Sequence, residues 1–130
     1  MVKWNIEDTG FTLNELKETM VDSFSSHGLP IRRGCFSVQQ LEPPGCVRCQ
    51  YSTQNPGLYY HFTTNLGTSE TYDGSISVGE KGQGYGRRLE EAGVEFCRRV
   101  GVKTMVLTRV TGGSEGFWRK MGYVKGKKRI

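Results

Sequence analysis

Ser75-Ile76-Ser77-Val78-Gly79-Glu80-Lys81-Gly82-Gln83-Gly84-Tyr85-Gly86-Arg87-Arg88-Leu89 is the stretch on which the fold turns. Residues 75 to 78 alternate polar and apolar, as a half-buried strand does, and lead straight into a glycine-rich turn. From Gly86 to Val100 the period changes. Leu89, Ala92, Gly93, Phe96, Cys97 and Val100 recur at steps of three and four, which predicts a helix with one buried face. Glycines at 82, 84 and 86 let the backbone approach a ligand without side-chain clash, and the unbonded N–H groups of the helix start carry partial positive charge. Together they read as a nest for an anion. Arg87 and Arg88 in the first helical turn oppose the macrodipole at about 0.3–1 kcal/mol each, a cost that a bound polyphosphate turns into attraction. The plain alternative is a glycine-rich surface loop with incidental basic residues.

Two phosphate-binding signatures are excluded. A P-loop needs Gly-Lys followed by Ser or Thr, whereas here Lys81 precedes the glycines and no such hydroxyl follows. A dinucleotide fingerprint needs glycine at 87, which is Arg87.

Working outward, Gly101 is placed to end the helix in a left-handed turn, and Thr104-Met105-Val106-Leu107 reads as a short, fully buried, central strand. Ser114 opens a second short helix, Glu115 to Met121, stopped by Gly122, with one last strand after Tyr123. Upstream, Cys35–Leu41, Cys46–Ser52, Leu58–Thr64 and Thr71–Val78 are strand-like and separated by Glu42-Pro43-Pro44-Gly45, Asn55-Pro56-Gly57 and Asn65-Leu66-Gly67, which predicts antiparallel hairpins. Thr12 and Glu15 form a capping box for a helix with the apolar stripe Leu13, Leu16, Met20 and Phe24, ended at Gly28-Leu29-Pro30. Residues 2 to 7 alternate as a short strand. The sum is one α/β (α+β) domain over 1–130, with a mixed, mostly antiparallel sheet and helices on both faces.

The chain of 130 residues has a net charge of +5, part of it in Lys125-Gly126-Lys127-Lys128-Arg129. That run reads first as a solvated tail and second as an attraction for CoA, nucleic acid or an acidic protein face. There is no membrane-spanning apolar run and no leader, so a cytoplasmic protein with no membrane partner is expected. Cys35, Cys46, Cys49 and Cys97 are then free thiols. Cys46-Val47-Arg48-Cys49, with Cys35 and His61, has zinc-ligand spacing, but a three-residue step along a strand sends Cys46 and Cys49 to opposite faces, so no metal is expected. His27 reads as a helix-end residue and Cys97 as core. Tyr51, Tyr59, Tyr60 and Phe62 read as strand packing, with some available to line an acceptor site.

The glycine turn and a second segment together resemble the GNAT superfamily of N-acetyltransferases. Lys81-Gly82-Gln83-Gly84-Tyr85-Gly86 is similar to the family's Arg/Gln-x-x-Gly-x-Gly/Ala motif, with Lys81 in the first position, and Phe117-Trp118-Arg119-Lys120-Met121-Gly122-Tyr123 to its aromatic segment near the C-terminus. The two occur in the family's order with one helix and one strand between them, over residues 71 to 124. The resemblance implies a GNAT-like sheet, shortened at the C-terminus, that binds acetyl-CoA as co-substrate. Backbone amides of Gly82, Gln83, Gly84, Tyr85, Gly86 and Arg87 would hold the pyrophosphate beside Lys81. Ser75, Ile76 and Val78 would bond the pantetheine arm, and Trp118 would line the channel. The thioester would lie where two strands splay, between Thr71–Val78 and Lys103–Arg109.

It further implies transfer of an acetyl or short acyl group to a primary amine, on a small molecule or a protein, by direct attack. Glu70 falls where histone-type members keep a glutamate base, with Asp73 as the nearby alternative. Trp118 replaces the tyrosine that often protonates the thiolate, leaving Tyr123 or Ser114 as substitutes. The rival expectations are a CoA-binding module that has lost catalysis and, less favoured, a nucleic-acid-binding module. A full domain of this family ends in two strands, whereas Val124 to Ile130 suffices for one strand and no hairpin. An exposed edge that pairs as a homodimer, or an open groove for a macromolecular acceptor, is expected.

Overall fold

The structure, a computed structural model, describes residues 10–32, 34–42, 45–79, 82–107 and 113–130. The strand expected at residues 2 to 7, and Lys81 and Arg109, lie outside them. In chain order the elements are α1 (Leu13–Ser26), β1 (Phe36–Gln40), β2 (Cys46–Gln54), β3 (Gly57–Asn65), β4 (Glu70–Val78), α2 (Tyr85–Arg99), β5 (Thr104–Val106), α3 (Glu115–Lys120) and β6 (Lys127–Arg129). The six strands lie side by side in that order, antiparallel throughout except for the parallel β4–β5 pair that α2 connects.

Local chemistry explains the boundaries. Thr12 and Glu15 close a reciprocal capping box at the start of α1. The Asn65 side chain accepts from the amides of Gly67 and Thr68 and so turns β3 into β4. Gly101, at φ +87°, ends α2 where a side chain would be strained.

Alternation along the middle of β2 and β3 gives the sheet two unlike faces. Val47, Cys49, Tyr51, Tyr60, Phe62 and Thr64 are buried on one. Phe24 of α1 packs on Tyr51 and Tyr60 with ring centroids 5.0 and 6.2 Å apart, and Phe96 of α2 packs on Phe62 at 5.6 Å. α3 leans on the same layer, since Phe117 would touch a Cβ placed on Gly86 of α2 at 3.3 Å. Helices on both faces were expected; the three described helices are all gathered on this one. Binary patterning reports how many faces of a strand are wet, but the outer face here is half-dry through large side chains of its own.

Two further expectations are corrected. β5 is neither fully buried nor central: only Met105 is buried, and β5 is next to the edge strand β6. The C-terminal residues do form a hairpin, because Lys125 and Gly126 both take positive φ (52° and 77°), and Val124 and Lys127 exchange backbone hydrogen bonds at 2.8 and 3.1 Å. Gly126 marked the turn, but lysine is an uncommon residue at positive φ and hid it.

Candidate functional site

Among the described residues the parallel β4–β5 pair holds for two positions, Glu70 with Thr104 and Thr71 with Met105. Beyond Thr71 the strands part. The cause lies in β4, where the register with β3 shifts between His61 and Thr63 and Asp73 sits at φ 60°. One extra residue makes a β-bulge, which bends its strand and strengthens the local twist. The resulting cleft lies between Tyr72 and Gly74 on one side and Val106 and Leu107 on the other, with Trp118 and Tyr123 across its inner end. It leaves the centre of a water molecule only about 10 Å³, room for one water and for no acyl group without side-chain movement.

α2 begins past the far end of β4, where Gly86 lies against Phe117 and Val78. Gly84 is its N-cap at φ 77° and offers no side-chain cap, and Arg88 makes the first helical hydrogen bond to Gly84 O at 3.2 Å. The amides of Tyr85, Gly86 and Arg87 therefore have no acceptor within the helix. Gly82 also takes positive φ, and a Cβ on either Gly82 or Gly84 would meet open space, so these glycines serve the backbone conformation. The first turn of α2 carries no acidic residue. Its arginines do not converge on the turn: Arg87 Nε donates to Glu91 at 3.0 Å, and the Arg88 guanidinium lies 5.5 Å from the Tyr85 ring centre. Gln83 is exposed and Tyr85 half-buried.

The remaining expected residues fall into separate places. Ser75 is exposed, whereas Ile76 and Val78 are half-buried against the core, all on the far half of β4. Trp118 is buried and edge-on to Phe117 and Tyr123, with centroids 4.8 and 5.5 Å away. Glu70 is exposed at the opposite end of β4, in a shallow recess with Lys103 and Arg129. Eight residues separate it from Val78, about 26 Å of strand, so the structure does not bring Glu70 to the glycine turn. Asp73 is exposed on the bulge itself, where the strands part. Cys46 and Cys49 do point to opposite faces: Cys46 Sγ is 3.5 Å from Tyr72 Oη, and Cys49 is in the core. His27 caps α1, with Nε2 3.6 Å from Glu95 of α2.

Tyr123 belongs to a network that sequence reasoning missed. Its hydroxyl donates to Glu90 Oε1 at 2.8 Å, Lys128 Nζ lies 3.0 Å from the same oxygen, and Tyr60 Oη is 3.4 Å from Oε2. Glu90 is 1% exposed, yet its carboxylate has three partners, as a buried charge needs. Burial and the Glu90 charge hold the Tyr123 hydroxyl far above its ordinary pKa, and Tyr60 likewise. Tyr123 therefore keeps its proton and shares it in a hydrogen bond with Glu90. A Cβ on Gly93 would sit 2.6 Å from Tyr60 Oη, so the glycine makes the tyrosine's approach to Glu90 possible. Lys128, read as part of a solvated tail, reaches inward and also donates to Met121 O at 2.8 Å. The signal for Glu90 was present: Gly86, Glu90, Gly93 and Cys97 form one row at steps of four, three and four on the buried side of α2.

No family model matches this chain, and neither a curated protein nor a solved structure was found to match it. No described helix is long and apolar enough to cross a membrane.

Proposed function

We propose that the chain is a GNAT-like N-acetyltransferase that passes an acetyl or short acyl group from acyl-CoA to a primary amine. The observation that carries this is the uncapped start of α2 at the far end of the stretch of β4 that has parted from β5. A polyphosphate fits the first element, since three helical amides and two positive-φ glycines present N–H groups to an anion. An extended pantetheine arm fits the second, because β4 beyond Thr71 has no ladder partner among the described residues on its β5 side. The acyl group would then lie at the cleft mouth by Gly74, with Trp118 shifting to admit it. Holding thioester and amine in line supplies much of the acceleration for direct attack.

Titration calorimetry with CoA and acetyl-CoA tests the binding half. Wild type is expected to bind both, and Gly84→Asn to keep binding because asparagine tolerates positive φ. Gly84→Val is expected to lose it. Wild type that binds neither ligand refutes the proposal. Release of free thiol from acetyl-CoA in the presence of amines tests the transfer.

A second reading is favoured by the fullness of the cleft and by the Tyr123 hydroxyl committed to Glu90: a CoA-binding module without turnover. It predicts CoA binding with no thiol release.

A further inference from the structure

The outer face of the sheet carries a constellation with no part in the core. Tyr59 and His61 are neighbours on that face of β3, their rings edge-on with centroids 5.3 Å apart, and Tyr59 Oη is 3.0 Å from His61 Nδ1. His61 lies opposite Ser75 of β4, immediately before the register shift that makes the bulge. Next to it the face is low: β4 raises Ser75 and Ser77 there, both exposed, with Asp73 on the bulge beyond them, and no described helix covers the two serines. A substrate can therefore rest on β4, the strand that borders the cleft, with His61 as its wall.

Resting on the proposed transfer reaction, we infer that His61 is the base that takes the proton from the acceptor's ammonium group. In the tautomer that serves, Nδ1–H donates to Tyr59 Oη and Nε2 keeps its lone pair. The ammonium gives one proton to Nε2, the neutral nitrogen attacks the thioester carbon, and the C–N bond forms as the C–S bond breaks. The departing sulfur takes the second N–H proton, and His61 returns the first to water. The products are an N-acyl amine and CoA thiol.

The surroundings suit this role. Burial lowers the His61 pKa first and the Arg48 charge lowers it further, while Asp73 on the bulge opposes them. Those are the charged groups facing the ring from β2 and β4; Tyr59 faces it on its own strand, and the cross-strand neighbours Gln50 and Ser75 are neutral. The net direction is below 6.5, so the ring is neutral near pH 7 and able to accept a proton. Glu70, the carboxylate expected in this role, is five residues from Ser75, about 17 Å along the strand.

The test measures thiol release from acetyl-CoA with spermidine, tyramine and lysine methyl ester over about pH 5 to 9, for wild type, His61→Gln and Glu70→Gln. Acetyl-CoA binding and circular dichroism are followed for each. Wild-type kcat/KM is expected to fall on the acid side of about 6.5. His61→Gln is expected to lose that limb and about 100-fold in kcat/KM, with an unchanged acetyl-CoA dissociation constant and fold. Long-range proton–nitrogen spectra of free wild type are expected to show Nδ1–H and a bare Nε2. An active wild type whose rate and acid limb survive His61→Gln overturns the inference and leaves the transfer reaction standing. So does a limb lost in Glu70→Gln and kept in His61→Gln, or a ring protonated on Nε2 alone. Wild type that binds CoA but releases no thiol with any of the three amines overturns both the inference and turnover, and wild type that does not bind CoA removes the whole reading.

Discussion

Adjacent residues of β3 live in opposite worlds. Tyr60 and Phe62 are buried among helices, while Tyr59 and His61 stand half-buried on a face that no described helix covers. Both faces hold a polar group that looks reactive. On the inner face Glu90 has three partners and no way out; on the outer face His61 has one hydroxyl partner and open space beside it. A buried carboxylate with every partner in place is therefore weak evidence of catalysis in this molecule, and an accessible imidazole is the better candidate.

The largest expected effect comes from unbalancing the inner face. Lys128→Met leaves Glu90 buried without its cation, and urea unfolding is expected to report a loss of about 3–5 kcal/mol. Adding Glu90→Gln should recover a substantial part; if Lys128→Met alone is neutral, Lys128 is a solvated tail after all. Gly93→Ala drives a methyl into Tyr60 Oη at 2.6 Å and is expected to cost about 1–3 kcal/mol. An unchanged melting temperature would mean that the tyrosine withdraws freely and that the two faces differ less than described.

A pH experiment sharpens the same contrast. Burial pushes the Cys97 thiol up to about 12 from an unfolded value of 9.0. Between those values the unfolded chain has lost the proton and the folded one keeps it, so stability is full below about pH 9 and falls as pH rises toward 12. Cys97→Ala is expected to flatten part of that alkaline decline in melting temperature; a slope equal to wild type would remove Cys97 as a contributor. The smallest effect is expected outside: Ser77→Ala should stay within about 0.5 kcal/mol of wild type, and a larger loss would reveal a structural demand on the outer face.

Much of the fold was legible in the sequence because its signals are local. The capping box at Thr12, the Asn65 turn, the Gly101 stop and the alternation of β2 and β3 each act within a few residues. What was not legible depends on partners distant in the chain. Lys128 looks like any residue of a basic tail until β6 pairs with β5 and aims it at Glu90, thirty-eight positions earlier. Glu90 broke the apolar stripe of α2 by type and kept it by position, and type decided the reading. By spacing His61 reads as a metal ligand, and Tyr59, two residues away and its hydroxyl partner, reads as packing. The uncapped helix start at the glycine turn, which was legible, is again a local feature.

The bulge at Asp73 acts on β4 like an inserted letter in a text read two at a time. Thr71 points inward, and strict alternation from there would send Asp73, Ser75 and Ser77 into the core and turn Ile76 and Val78 out to water. The extra residue resets the phase, so that Gly74 faces Tyr60 and Phe62 and Ile76 follows on the inner side. Removing Asp73 would thus keep Thr71, Gly74, Ile76 and Val78 on the inner side with no bulge needed. The expected result is a deletion that folds, with β4 straightened against β5 and the cleft closed.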